Sequence, residues 1–290
     1  MMSLVSVAAV AQLGGVFQDA SRSSSEVVLE AVDDGPKVGA AGGVLAGASD
    51  CSPGAHASFS YGTAPIALMA NVWNPSAAQG AVSVCVHPGV SRTSAKPTDP
   101  WTLSWSVLGV SENVVAYPEA MIGVSPWYGD VDGRPTGSAY RPLSLAYRYT
   151  LTERTGRSNI AAEVWLTDTP DGGPLSIREE VMVWLDAKGM TPAGTRIASN
   201  VVVGGLRYDL WFAPGFGDSS GGSQAQWDYF AFVAKTPSRE GRLDIQAFLV
   251  ELHRRGKVPP DRFLSSVEFG AEVVDGTGRV AIKRFSVSGL

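Results

Sequence analysis

From Cys51 to the C-terminus the chain is a close succession of short β-forming runs, each broken by Gly, Pro, Asp or Asn. Strands at this density, joined by turn signals, fold as antiparallel sandwiches or barrels. The candidate strands are 56–61, 65–73, 81–87, 101–109, 114–117, 143–151, 159–167, 178–185, 199–204, 207–213, 226–235, 264–274 and 278–288. One helix is expected, from Glu240 to Arg255. Leu243, Ala247, Leu249, Val250 and Leu252 give it an apolar side, and Gly256 supplies a stop. A lone helix in a β chain is expected to pack on the outside of a sheet. Hydrophobic residues make up 44% of the chain and charged residues 18%, which is enough for a sizeable core and excludes global disorder.

Residues 1–50 have a different character. Residues 1–17 are mildly apolar, and Ala9-Val10-Ala11 looks like a signal-peptidase site with no Lys or Arg before it. Ser21 to Ser25 and Gly35 to Gly47 have linker composition, with a candidate short strand at 26–29. We expect a leader over 1–50 and one folded domain over 51–290. No stretch is long and apolar enough to span a membrane as a helix.

Several function classes drop out. The net charge is −5 and no basic stripe is present, which argues against nucleic acid. Cys51, Cys85, His56, His87 and His253 lack zinc-site spacing, and no metal is expected. Asp130-Val131-Asp132-Gly133 looks like a fragment of a calcium loop but lacks a third carboxylate, so a plain turn is the reading there. For Cys51 and Cys85, a disulfide in an exported protein and two unrelated thiols fit the spacing equally. No nucleotide loop, redox motif or cofactor signature appears.

Two strands carry glutamates that burial logic would not place there. Alternate residues of a strand face opposite ways. In 178–185, Val181, Val183 and Leu185 share one face, opposed by Glu180, Met182 and Trp184. In 267–274, Phe269, Ala271 and Val273 oppose Glu268, Gly270 and Glu272. A carboxylate beside Met and Trp suits the wall of a cleft, and two facing carboxylates are the minimum needed to hydrolyse a glycosidic bond. Trp73 shares parity with Asn71, Trp165 with Glu163, and Trp184 with Glu180. Flat rings recurring beside polar groups describe a sugar-binding groove, whereas single buried Trp residues are more often core.

At these residues the chain resembles glycoside hydrolase family 12, endo-β-1,4-glucanases with a β-jelly-roll fold. Ala70-Asn71-Val72-Trp73-Asn74 is similar to the family's Asn-Asn-Leu-Trp-Gly strand. Asn113 to Glu119 resembles Asn-Val-x-x-Tyr-Pro, and Tyr117-Pro118-Glu119 with Ser125-Pro126-Trp127 looks most like archaeal and thermophilic members. Asn159 to Leu166 resembles Asn-Val-Ala-Tyr-Asp-Leu-Phe-Leu. Glu180-Val181-Met182-Val183-Trp184-Leu185 is similar to Glu-x-Met-Ile-Trp-Leu, and Phe269-Gly270-Ala271-Glu272 with Gly276 to Phe-Gly-Thr-Glu-Pro-Phe-x-Gly. Trp227 to Val233 looks like the strand ending Ser-Phe-Val.

The resemblance implies a jelly roll of two antiparallel sheets with a concave cleft. It also implies a retaining mechanism with carboxyls about 5–5.5 Å apart. Glu180 would be the ionised nucleophile and Glu272 the acid/base, its proton held there by the charge of Glu180. Glu163, standing where the family has Asp, would orient Glu180. Glu179 and Glu268 are left without a role. Asn71, Trp73, Tyr117, Trp127, Trp165, Met182 and Trp184 would face substrate, and Cys51 and Cys85 would form a disulfide. A secreted, monomeric endoglucanase acting on a β-glucan is expected. A xyloglucan-specific or mixed-linkage glucanase, or a non-catalytic carbohydrate-binding jelly roll, are the alternatives.

Overall fold

The structure is a computed structural model that describes residues 37–38, 49–52, 56–61, 64–89, 101–127, 137–170 and 172–289. The candidate strand at 26–29, the apolar N-terminus and Asp130–Gly133 lie outside the described residues.

The strands are β1 (Lys37–Val38), β2 (His56–Tyr61), β3 (Ala64–Met69), β4 (Val82–His87), β5 (Trp101–Val107), β6 (Glu119–Gly123), β7 (Gly137–Ser138) and β8 (Ser144–Thr152). They continue as β9 (Ser158–Thr167), β10 (Ile177–Lys188), β11 (Thr195–Val203), β12 (Leu206–Gly217), β13 (Gln226–Ala234), β14 (Glu240–Asp244), β15 (Phe263–Gly270) and β16 (Gly276–Ser288). They form two sheets. The larger runs β1-β2-β3-β6-β15-β9-β10-β13-β12-β11, with β7 beside β15, and the smaller runs β14-β8-β16-β5-β4. Neighbours pair antiparallel except β10 with β13, which are parallel. This is the two-layer β architecture expected of a jelly roll.

One face of the large sheet packs on the small sheet. Val181, Val183, Leu185, Val164, Leu166, Val267 and Phe269 meet Leu103, Trp105, Tyr147, Tyr149, Val280 and Phe285 in a single apolar core. The other face carries a separate cluster of Trp165, Met182, Trp184, Trp227, Tyr229 and Ala231. The expected parity of the two glutamate strands holds: their aliphatic residues enter the core, and Glu180 and Glu268 line the opposite face.

The helix is shorter than expected. It spans α1 (Ile245–Arg254), and residues 240–244 form β14 on the edge of the small sheet. Asp244 marks the change, because its side chain accepts the Ala247 N–H as an N-cap at 3.0 Å. Phe248 packs on Tyr208 and Phe232, with ring centroids 5.3 and 4.9 Å apart. The expected strand at 114–117 is an irregular segment with one bridge at Ala116, and the true strand begins after Pro118, at Glu119. Proline has no N–H to give a ladder, so the regular pairing starts beyond it. Lys37 and Val38, within the expected leader, pair with β2. Cys51 and Cys85 form a disulfide. No helix among the described residues is long and apolar enough to cross a membrane.

Candidate active site

Five strands side by side, β6, β15, β9, β10 and β13, build the polar part of the cleft face. Their register sets which side chains meet. Glu180 on β10 lies between Trp165 on β9 and Tyr229 on β13. One pair along, Met182 lies between Glu163 and Ala231, and Glu163 is directly opposite Glu268. At the next position on the far side, Glu119 of β6 faces Gly270 of β15. Side chains directly opposite or diagonal across a sheet are within reach of each other. Five carboxyls therefore share one face: Glu119, Glu268, Glu163, Glu180 and Glu272.

Glu180 is buried, and the Trp227 indole N–H donates to its Oε2 at 2.6 Å. A fixed donor aimed at one oxygen favours the ionised form. Burial, and then the charge of Glu272, push Glu180 well above the usual carboxylate range. Glu272 follows the end of β15, where Asn159 holds it twice. Asn159 Oδ1 accepts the Glu272 N–H at 2.9 Å, and Asn159 Nδ2 donates to Glu272 Oε2. Burial pushes Glu272 up to about 7, against the lowering influence of Asn159. We expected the charge of Glu180 to hold the proton on Glu272. The influence runs the other way: the charge of Glu272 raises Glu180, while burial and Asn159 alone account for the shift of Glu272. Trp227 on Glu180 is the contact that favours ionisation of the nucleophile candidate.

Glu163 is not the direct cross-strand neighbour of Glu180, because that position belongs to Trp165. It sits diagonally, and burial followed by the charges of Glu180, Glu268, Glu119 and Glu272 raises it well above the carboxylate range. Both burial and those charges favour its protonated form. Tyr229, opposite Glu180, is raised by burial and by Glu272, Glu180 and Glu163, and so remains a neutral phenol. Its hydroxyl lies 3.6 Å from Met182 Sδ.

The expected substrate-facing residues divide into two groups. Asn71 and Trp73 are partly exposed on the segment that follows β3, and Trp127 is also partly exposed. Trp127 meets Trp165 and Trp227 edge-on, with centroids 5.4 Å apart in each case. Met182 and Trp184 are 0% and 2% exposed and form the floor of the cleft, so a stacking role for Trp184 does not fit this geometry. Its indole N–H points at Met182 Sδ, 3.4 Å away. Tyr117 is buried too, and its hydroxyl donates to the Ala161 carbonyl at 3.1 Å, which makes it a strut beneath the cleft. Trp165 is nearly enclosed, and its indole helps hold Glu268.

Glu179 has the other parity and pairs with Arg262 at 2.8 Å, as a structural ion pair. Glu268, left without a role by sequence, occupies the centre of the carboxyl group. Glu119, Asn159, Trp227 and Tyr229 were not singled out. Asn159 opens one of the segments that resemble family motifs and Trp227 another, but only pairing across strands shows what they hold.

The profile of glycosyl hydrolase family 12 matches residues 64–288. A probable xyloglucan-specific endo-β-1,4-glucanase A of Aspergillus terreus is 26% identical over 226 residues, covering 76% of this chain and 81% of the relative. Endoglucanase S of Pectobacterium parmentieri is 27% identical over 195 residues, covering 64% and 70%. The solved family 12 xyloglucanase of Bacillus licheniformis superposes with a TM-score of 0.69 at 24% identity, covering 83% of this chain and 99% of that one. These relatives are fungal and bacterial, and they give no support to the archaeal and thermophilic leaning drawn from residues 117–127. The chain belongs to glycosyl hydrolase family 12.

Proposed function

We propose that this protein is a retaining endo-β-1,4-glucanase in which Glu180 is the nucleophile and Glu272 the acid/base. The observation that carries the reading is two carboxyls on the cleft face, Glu180 buried and Glu272 partly exposed, with the charge of Glu272 reaching Glu180 and each held by its own donor, Trp227 and Asn159. In the first step Glu180 attacks the anomeric carbon. Glu272 gives its proton to the glycosidic oxygen as that bond breaks, leaving a glycosyl ester on Glu180. In the second step Glu272 takes a proton from water, whose oxygen attacks the same carbon and frees Glu180. Protonated Glu163 steadies the charge of Glu180 without adding another negative charge.

The partly exposed Asn71 and Trp73 would bind sugar units away from the cleaved bond. Trp127 would line the rim over Trp165 and Trp227. Residues 51–290 would form the catalytic unit, and the Cys51–Cys85 disulfide fits an extracellular site of action.

A second reading, xyloglucan as the preferred substrate, is favoured by the names of the Aspergillus terreus and Bacillus licheniformis relatives. Reducing-end release from carboxymethylcellulose, lichenan and xyloglucan tests both readings. Activity on any of them supports the enzyme, and the ratio of rates assigns the substrate. Binding without release on all three would return the chain to the non-catalytic alternative.

A further inference from the structure

Asn71 is one of three non-glycine residues with positive φ among the described residues, at +42°. Asn tolerates that conformation better than most residues, but it needs support from its surroundings. The segment carrying Asn71 and Trp73 is tied to residues 114–119 at several points. Asn74 N–H donates to the Val115 carbonyl at 3.1 Å, and Tyr117 N–H to the Asn71 carbonyl at 3.0 Å. Asn71 Nδ2 donates to Glu119 Oε1 at 2.8 Å. That last contact is the one through which a fully enclosed carboxyl reaches a residue of the cleft.

Glu119 is 1% exposed, and two features fit it to its place. Gly270 lies opposite it on β15, where an added Cβ would come 2.1 Å from the Pro118 carbonyl oxygen and 2.9 Å from Glu119 Cα and Cβ. The glycine lets β6 and β15 close around the side chain. The second oxygen, Glu119 Oε2, is buried and accepts from no donor. Its acidic neighbour is Glu268, itself held by Ser266 Oγ at 2.6 Å. Two enclosed carboxyls side by side do not both ionise, and an oxygen with no donor suits the protonated member. Glu119 can then accept from Asn71 on one oxygen and give its proton towards Glu268 from the other.

We propose that Glu119 is a positioning residue: enclosed by Gly270 and Glu268, it fixes left-handed Asn71 and so sets where Asn71 and Trp73 meet the sugar chain. The proposal rests on the reading of this face as the substrate cleft. It predicts an effect on binding rather than on bond cleavage.

The experiment measures kcat and KM on a soluble β-1,4-glucan for wild type, Glu119→Asp, Glu119→Val, Glu119→Gln, Asn71→Ala and the Glu119→Asp/Asn71→Ala double variant. An aryl β-cellobioside, which lacks distal sugar units, is the second substrate. Glu119→Asp falls short of Asn71 and should raise KM on the polymer about five-fold, the worth of one hydrogen bond, with kcat held within about two-fold. Glu119→Val should do the same where it folds, and Glu119→Asp stands alone where it does not. Glu119→Gln keeps an acceptor for Asn71 and a donor for Glu268, and should rescue KM. The double variant should be no worse than Asn71→Ala.

Wild-type KM in Glu119→Asp would overturn the proposal. So would full additivity with Asn71→Ala, or an equal loss of kcat on the aryl cellobioside. If the wild-type protein releases no sugar from any β-glucan, the reading of the cleft fails first, and that outcome is separate from a normal enzyme whose KM ignores Glu119.

Discussion

Asn159 grips Glu272 from both sides, accepting its backbone N–H at 2.9 Å and donating to its side-chain Oε2. The contact fixes the end of β15 to the start of β9, so the acid/base candidate is anchored by a strand and not carried on a free loop. Because Nδ2 donates to the carboxylate, it also favours the ionised form.

Replacing Asn159 with Ala should therefore raise the pKa of Glu272 beyond about 7. Glu272 must be protonated to act as the acid, so the alkaline limb of the kcat/KM profile moves to higher pH. The loss of anchoring lowers kcat at the same time. A pH profile of kcat/KM for the variant and wild type checks both effects, and an alkaline limb that moves down would contradict the assignment.

Trp227 makes the opposite kind of prediction. Trp227→Phe keeps a ring but removes the N–H that reaches Glu180 at 2.6 Å. Ionised Glu180 loses a donor and its pKa rises, so the acidic limb of the profile shifts upward. Hydrogen bonds to charged groups are worth about 1.5–3 kcal/mol, so kcat should fall roughly ten-fold or more. Steady-state rates from pH 4 to 9, roughly the span over which carboxyls so placed titrate, give both numbers.

The carboxyl group on the cleft face also makes folding pH-dependent. Glu119, Glu163, Glu180 and Glu272 all have folded pKa values raised from the ordinary value of 4.5, with burial as the first cause. In that range the folded state holds more protons than the unfolded chain. The stability they contribute is complete below 4.5 and is lost as pH rises through the folded values, for Glu272 between 4.5 and about 7. The melting temperature should fall over that interval. Glu119→Gln removes one such group, and its melting temperature should fall less steeply with pH.

The disulfide spans 34 residues of sequence. Closing a loop of that length stabilises a fold by roughly 3–4 kcal/mol in the chain-entropy account. A Cys51→Ser/Cys85→Ser variant should melt at lower temperature with unchanged kcat at 25 °C, since neither cysteine is among the residues of the cleft. Calorimetry alongside an activity assay separates the two effects.

Much of this fold is written locally. The alternation in Val181-Met182-Val183-Trp184 and in Glu268-Phe269-Gly270-Ala271 places the core face and the cleft face without any knowledge of which strands pair. The order of Glu180 and Glu272, with their neighbouring motifs, points to the family. What is not written locally is which strand lies beside which. Glu268 has the right parity, yet its partners Glu163 and Glu119 are 105 and 149 positions earlier in the chain, and only the β6-β15-β9 order brings them together. The same holds for Trp227 on Glu180, which depends on the parallel pairing of β10 with β13. The start of the helix was misplaced for a simpler reason. Leu243 fits a helical stripe, but β8 offers an open edge to residues 240–244, and Asp244 caps the helix after them.

The central claim is that Glu180 becomes covalently bonded to sugar. A 2-deoxy-2-fluoro-β-cellobioside with a good leaving group slows the second step more than the first and should leave the glycosyl ester on the enzyme. Peptide mapping by tandem mass spectrometry is predicted to place the added mass on Glu180, with Glu179 beside it unmodified. A label on Glu272 or Glu163, or an enzyme that turns over β-glucan without ever carrying one, would contradict the account.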